Sequence, residues 1–282
     1  MRQHAATTEN LLPPVYRLEG AADPWSDWHQ TATLVQHLTW RHLAARYRGS
    51  VLGFVWSFLN PVLMMGVYTF VFRFVFRATV PGIPYPAFFL TGILAWNFLS
   101  IAVMNATTSV ADNAFLINKL YFPRIVLPVS AVCANGLNYL ATIPLLLVFN
   151  LLCGIAPSGA VLLLPLALVL LVCVATGVGL LTAGLAPFFR DLLQLLEVVM
   201  TAWFFATPVL YPISFLEQHL SAKLWILYHV NPMVGTVRLI HAVFLGQPVS
   251  VGAVAMAVGG AVGLLGAGLW VFSHQALRFS EA

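Results

Sequence analysis

Long apolar stretches separated by short polar breaks run through the chain, and a stretch such as Val161 to Leu181 is apolar on every side. That pattern predicts membrane-spanning helices, since about 20 mostly apolar residues cross the hydrocarbon core, whereas barrel strands would alternate with period two. Spans are expected near 54–76, 86–108, 126–152, 160–187, 193–211 and 251–272, with Pro61 placed to kink the first. Val80-Pro81-Gly82-Ile83-Pro84 and the run Gly154 to Gly159 read as turns. Residues 109–124, with Asp112, Asn113, Lys119 and Arg124, and the run Phe188-Phe189-Arg190-Asp191 are polar breaks.

Three segments depart from this rhythm. Residues 1–32 form a polar tail with Pro13, Pro14 and Pro24 and without the apolar core of a secretory signal, so the tail is expected to stay on the side of synthesis. In 33–50, Trp40, Leu43, Ala44 and Tyr47 fall at i, i+3, i+4 and i+7 among Arg41, Arg46 and Arg48. That spacing predicts an amphipathic helix in the membrane interface, its apolar side toward the acyl boundary and its arginines toward headgroup phosphates; it also serves as a positive flank for the first span. In 212–248 the apolar pieces Leu224 to Val230 and Met233 to Phe244 are broken by Lys223, His229, Asn231-Pro232 and Arg238, which fits two short re-entrant helices on one side. The fold class expected is an all-α polytopic membrane protein with six spans over 51–275, an interface helix before them and a short tail, 276–282, after them.

Composition agrees. Of 282 residues, 60% are hydrophobic and 8% charged, where a soluble domain carries roughly a quarter charged. The net charge of +4 is spread between apolar spans, which points to topology and to membrane lipids as partners rather than to nucleic acid. With both termini in the cytoplasm, Arg2, Arg17, Arg41, Arg46, Arg48, Lys119, Arg124, Arg190 and Arg278 lie inside, and Arg73, Arg77, Lys223 and Arg238 outside. The positive-inside rule favours that orientation and makes both polar breaks cytoplasmic.

The available chemistry is sparse. Neither lysine, Lys119 nor Lys223, sits in a phosphate-cradling G-x-x-x-x-G-K-[ST] loop, so no ATP site of that kind is expected. Carboxylates are not clustered, His37 and His42 are five apart and diverge on a helix, and Cys133, Cys153 and Cys173 lie in apolar runs, so neither a metal site nor a disulfide is expected. Glu197, with Asp191 and Gln194, makes a polar stripe entering the fifth span. It faces either a wet conduit or neighbouring subunit, or the interface, with Arg190 or a headgroup as partner. Aromatics make up 13% of the chain, with groups at Trp56 and Phe58, at Tyr68 to Phe76, and at Trp203-Phe204-Phe205. They serve either as interfacial anchors or as the wall of a sugar conduit, where rings stack on pyranose faces. Gly259, Gly263, Gly266 and Gly268 are expected to allow close helix packing.

Several segments together resemble a known family. Arg46-Tyr47-Arg48-Gly49-Ser50-Val51-Leu52-Gly53-Phe54-Val55-Trp56-Ser57-Phe58-Leu59-Asn60-Pro61 is similar to the start of permease subunits of bacterial ABC exporters for polysaccharides such as O-antigen, capsule and teichoic acid. Lys119 to Pro128, Phe188 to Asp191, Thr207-Pro208-Val209-Leu210-Tyr211-Pro212 and Asn231-Pro232-Met233 add to the resemblance. It implies a bacterial inner-membrane subunit that acts as a homodimer with two copies of a separate cytoplasmic ATPase. ATP and Mg would reside on that partner, with no cofactor on this chain, and the cargo would be a lipid-linked polysaccharide. A drug or small-lipid exporter of the same fold, and a stand-alone membrane enzyme or flippase, are the competing readings.

Under that reading Arg46 and Arg48 hold the lipid diphosphate. The coupling segment to the ATPase comprises Asn113, Phe115, Lys119, Tyr121, Phe122, Pro123 and Arg124 with Arg190 and Asp191. Trp56, Asn60, Tyr68, Glu197, Trp203, Phe204, Thr207 and Tyr211 line a conduit walled by the first and fifth spans.

Overall fold

The computed structural model describes residues 28–47, 55–71, 74, 80, 82–115, 122–156, 158–189, 191–213, 215 and 228–276. Arg48, Lys119, Tyr121 and Arg190, the polar tail 1–27 and most of the first expected re-entrant piece lie outside them. The described elements are all helical: α1 (Trp28–Tyr47), α2 (Trp56–Phe70), α3 (Tyr85–Asp112), α4 (Val126–Leu152), a 3-10 helix (Gly159–Leu163), α5 (Leu164–Leu185), α6 (Leu192–Phe205), α7 (Pro232–Leu245) and α8 (Val251–Ala276). Four segments are long and apolar enough to cross a membrane: α3, α4, the 3-10 helix with α5, and α8. The first and fifth expected spans appear as α2 and α6, of 15 and 14 residues. At 1.5 Å per residue these reach about 22 Å, short of the roughly 30 Å of hydrocarbon.

Local signals explain the element ends. Pro84 and Pro86 open α3, where missing N–H groups would be unpaired anyway. Asn231 caps α7 by accepting from the Met233 N–H at 3.0 Å, and Gly246, at φ +67°, closes it. Gly82 (φ +73°) turns the chain before α3 beside a bridge between Val80 and Ile83. One boundary differs from expectation. Helix α3 runs to Asp112, so the polar break begins at Asn113 rather than at 109, because Thr107 and Ser109 return their hydroxyls to the backbone of their own helix and carry it onward. Helix α2 continues through Pro61.

Helix α3 is the hub, with α4, α5 and α7 packed along it and α2 and α6 lying more lightly against it. Its Phe88, Leu90 and Leu99 are essentially inaccessible, and Thr107 meets Thr182 of α5 in a buried hydroxyl pair at 2.6 Å. Every residue of α7 except Arg238 is buried. A helix too short to span yet enclosed on all sides needs other helices to shield its ends.

The last helix docks through glycines, of which Gly268 alone was among the four expected. Gly259, Gly263 and Gly266 face open space, whereas Gly268 abuts Gly177 of α5. A Cβ on Gly177 would fall 2.6 Å from the Leu264 backbone, and one on Gly260 would fall 2.9 Å from Pro232. Close approach of backbones replaces the hydrophobic drive that lipid cannot supply. Gly177→Ala should therefore lower the stability of the detergent-solubilised protein by about 1–3 kcal/mol, through overpacking against backbone that cannot yield. Gly263→Ala should leave the melting temperature, read by tryptophan fluorescence, unchanged.

Candidate functional site

The polar side chains at the α1 end of the bundle are arranged as a platform. Leu38 packs with Val126 and Leu127 at the start of α4, joined by Leu34, Val35 and Phe122. Thr39 donates to the Ser130 carbonyl at 3.4 Å. Arg41 donates to the Asn113 side chain, which donates in turn to the Ser109 carbonyl at 2.8 Å. Arg46 donates to Asn135 at 3.0 Å, and Arg124 reaches the carbonyl of Ala276 at the end of α8. The coupling residues thus divide. Asn113, Phe122 and Arg124 tie α1, α4 and α8 together, while Phe115, 68% exposed, and Asp191 remain accessible. Pro123 accepts from the Val126 N–H at 3.1 Å and starts α4.

Helix α1 turns Leu34, Leu38 and His42 toward the protein, and Trp40, expected toward the acyl boundary, is 61% exposed. The described helix, Trp28–Tyr47, begins before residue 33, and 48–50 lie outside the described residues. Contact with α4 selects the buried face, and the outward Trp40 stays available to lipid.

The expected conduit residues separate into two groups. Trp56, Asn60 and Tyr68 of α2 line a groove of about 410 Å³ between α2, α3 and α4, with Arg46 at its edge. Tyr68 meets Phe89 edge-on at 4.8 Å. The aromatics of α6 instead form a seam with α3: Trp96 lies 6.0 Å from Trp203 and 5.5 Å from Phe204. Trp203 donates its indole N–H to Asn231 at 2.8 Å, and Asn231 donates to the Ala206 carbonyl at 3.1 Å. Thr207 is fully buried and donates to the Trp203 carbonyl, and Tyr211 donates to the Phe205 carbonyl at 2.7 Å. Trp203, Thr207 and Tyr211 therefore bind the end of α6 to itself and, through Asn231, to the start of α7. Glu197 is exposed on α6, away from that seam.

Asn97, Asn135, Asn138 and Thr142, which also line the groove, were not among the expected residues. Their signal was present in the sequence as amides in the middle of apolar spans, where polar residues mark cavities. Among the described residues no group of three His, Cys, Asp or Glu side chains comes together to hold a metal.

A bundle of apolar helices around a polar groove, with cationic side chains gathered at one end, defines an α-helical integral membrane protein. Residues 33–245 match the family described as ABC-2 type transporter, and the chain belongs to that family. It is 34% identical over 255 residues to the O-antigen export system permease protein RfbA of Myxococcus xanthus, covering 90% of this chain and 96% of that one. A Klebsiella pneumoniae protein of the same name is 31% identical over 245 residues, covering 86% and 92%. The polysialic acid transport protein KpsM of Escherichia coli is 25% identical over 211 residues, covering 73% and 78%.

His42 makes the platform sensitive to acid. Burial holds its imidazole below the ordinary 6.5; Arg41 and Arg46 act in the same direction, and Asp112 opposes them. The fold favours the neutral ring, so its stabilising contribution is complete above the ordinary value and is lost as pH falls through the lowered one. Acidification from about pH 7.5 to about pH 5 should loosen α1 from α4, as read from a spin label on α1, and His42→Phe should remove that pH dependence.

Proposed function

We propose that the chain is the transmembrane permease subunit of an ATP-driven exporter that moves a lipid-linked polysaccharide of the O-antigen kind from cytoplasm to periplasm. The observation that carries this reading is the 34% identity to an O-antigen export permease over nearly the full length of both proteins. A member of the ABC-2 family works with an ATPase, and the platform formed by α1 and the starts of α4 and α6 is the surface assigned to it. ATP and Mg belong to that partner.

In the assembly proposed, two copies of the chain bind two ATPases in the bacterial inner membrane, with both termini cytoplasmic. The proposed six spans take α2 and α6 as the first and fifth, with 212–248 as the re-entrant layer on the periplasmic side. Support for a homodimer comes from the faces of α2 and α6: Leu63, Val67, Phe70, Leu195 and Val198 are exposed, and both helices are only lightly held by α3. Two thin-walled bundles joined along these helices would enclose a path along a two-fold axis. Trp56, Asn60, Tyr68 and Glu197 are its proposed lining, with Trp203, Phe204, Thr207 and Tyr211 holding its shape. A polymer needs such a wet path because each unpaired hydroxyl in lipid costs several kcal/mol. Arg46 and Arg48 are assigned the lipid diphosphate.

Deletion of the chain should abolish surface polysaccharide while lipid-linked polymer accumulates inside, as read by gel analysis of cell fractions; unchanged surface polymer would refute the reading. Replacing Tyr121 and Phe122 by Ala should leave the protein inserted but reduce export at least tenfold by uncoupling the ATPase, because Phe122 anchors the platform. Arg→Lys at Arg46 and Arg48 should preserve topology and weaken export, since the ammonium lacks the fork geometry that grips phosphate.

A further inference from the structure

A second cavity, of about 610 Å³, runs between α1, α4 and α5, and no residue of α2 or α6 lines it. Its floor is Phe98, Tyr139 and Leu171, all buried, and its rims are Trp40, Leu140 and Val172, all exposed. Phe98 and Tyr139, stacked at 5.5 Å, also line the polar groove, so one aromatic pair is the wall between the two cavities. Gly136 gives the slot its depth. A Cβ there would meet only the edge of Phe98, at 3.8 Å, an ordinary contact, so backbone packing does not require glycine as it does at Gly177. Glycine is a poor helix former, and at this position the space it leaves belongs to the slot.

The chemistry of the lining selects the occupant. Among the described residues no charged side chain lines the slot, and Arg41 and Arg46 of the same helix are turned to Asn113 and Asn135. Gln36 and Trp40 stand at its α1 end, where Thr39 is already engaged with the Ser130 carbonyl. A diphosphate finds no cation in it. Water gains nothing from walls so apolar, and an empty slot would forfeit dispersion contact on three sides. The faces proposed to meet a second copy are those of α2 and α6, so hydrocarbon from the surrounding bilayer is the occupant that fits. The length fits as well: from Cys133 to Leu140 the slot follows α4 for about 10 Å, within the roughly 15 Å that one leaflet's chains occupy.

We propose that this slot is a seat for one acyl chain of a bilayer phospholipid, with the glycerol end beside Gln36 and Trp40 and the chain running along α4 toward Leu140. A chain held there packs α1 onto α4 and α5 from the lipid side, so the seating of the platform helix depends on the membrane. An uncharged mouth suits a zwitterionic headgroup. The seat is independent of what the transporter carries, and its failure leaves the export reading untouched.

The test uses the full-length chain with its ATPase in vesicles of phosphatidylethanolamine and phosphatidylglycerol. The probe is a trace of phosphatidylethanolamine with a diazirine midway along one chain. After irradiation, peptide mapping should find adducts at Leu137, Leu140, Val169 and Val172 about tenfold more often than at the outward Val262 and Trp270 of α8, a preference that roughly ten additional dispersion contacts supply. Gly136→Leu fills the slot from its floor and Val172→Trp from its rim; each should remove the excess at the slot and leave labelling of α8 unchanged. In detergent stripped of lipid, wild type should melt several degrees lower and recover when phosphatidylethanolamine is added, whereas Gly136→Leu should not respond. Equal labelling of slot and α8 in wild type, or an excess retained in both variants, overturns the seat. Loss of the excess on adding farnesyl diphosphate overturns it too, by making the cargo's anchor the occupant. So does disulfide cross-linking of Leu140→Cys to a second copy in a background lacking the native cysteines, which would show a partner helix in the slot.

Discussion

Lipid offers no partner to a polar group, and the whole arrangement of this chain answers that constraint. Backbone groups are satisfied within helices, and hydroxyls inside the spans return to their own helix: Thr91 to Ala87, Thr107 to Val103 and Thr182 to Val178. Where two hydroxyls could face each other they do so, as Thr107 and Thr182 join α3 to α5. Among the described residues, further polar side chains gather at the α1 platform and in the groove between α2, α3 and α4, and others, such as Asn150 and His241, are buried between α4, α7 and α3. Function is assigned where the chain tolerates polarity.

The same solvent removes the ordinary reason for helices to associate. Lipid tails are as apolar as leucine, so cohesion comes from close contact and hydrogen bonds. Helices α5 and α8 meet through Gly177 and Gly268, while Gly235 brings α7 against Ala253 and Ala257 of α8. These contacts draw α5 and α7 closely onto α8. Helices α2 and α6 keep large apolar side chains outward and few inward.

Coupling between a soluble motor and such a bundle requires stiff links at its edge. Arg41 to Asn113, Arg46 to Asn135 and Arg124 to Ala276 join α1, α3, α4 and α8 at one end through charge-assisted donors. A push on α1 or on the segment before α4 is thereby shared by several helices. Arg46 belongs both to this network and to the groove, so α1 is tied at once to α4 and to the groove between α2, α3 and α4.

Sequence alone determined where most apolar helices lie, because length and hydropathy of a span are local properties: α4 occupies 126–152 as read, and the turns at Gly82 and Gly154 fall where glycine permits positive φ. The resemblance carried by Arg46 to Pro61 and Asn231-Pro232-Met233 was likewise legible, since motifs are local too. Tertiary structure decided which face of each helix is covered. Leu38 rather than Trp40 turns inward on α1, Gly177 and Gly260 rather than Gly259 and Gly263 meet neighbours, Thr207 is sealed while Asn97 opens to a groove, and Trp203 is bound to Asn231. In water a buried face announces itself by being apolar. In a bilayer the protein-facing and lipid-facing sides of a helix are both apolar, so residue type cannot distinguish them, and only the contacts made by neighbouring helices do.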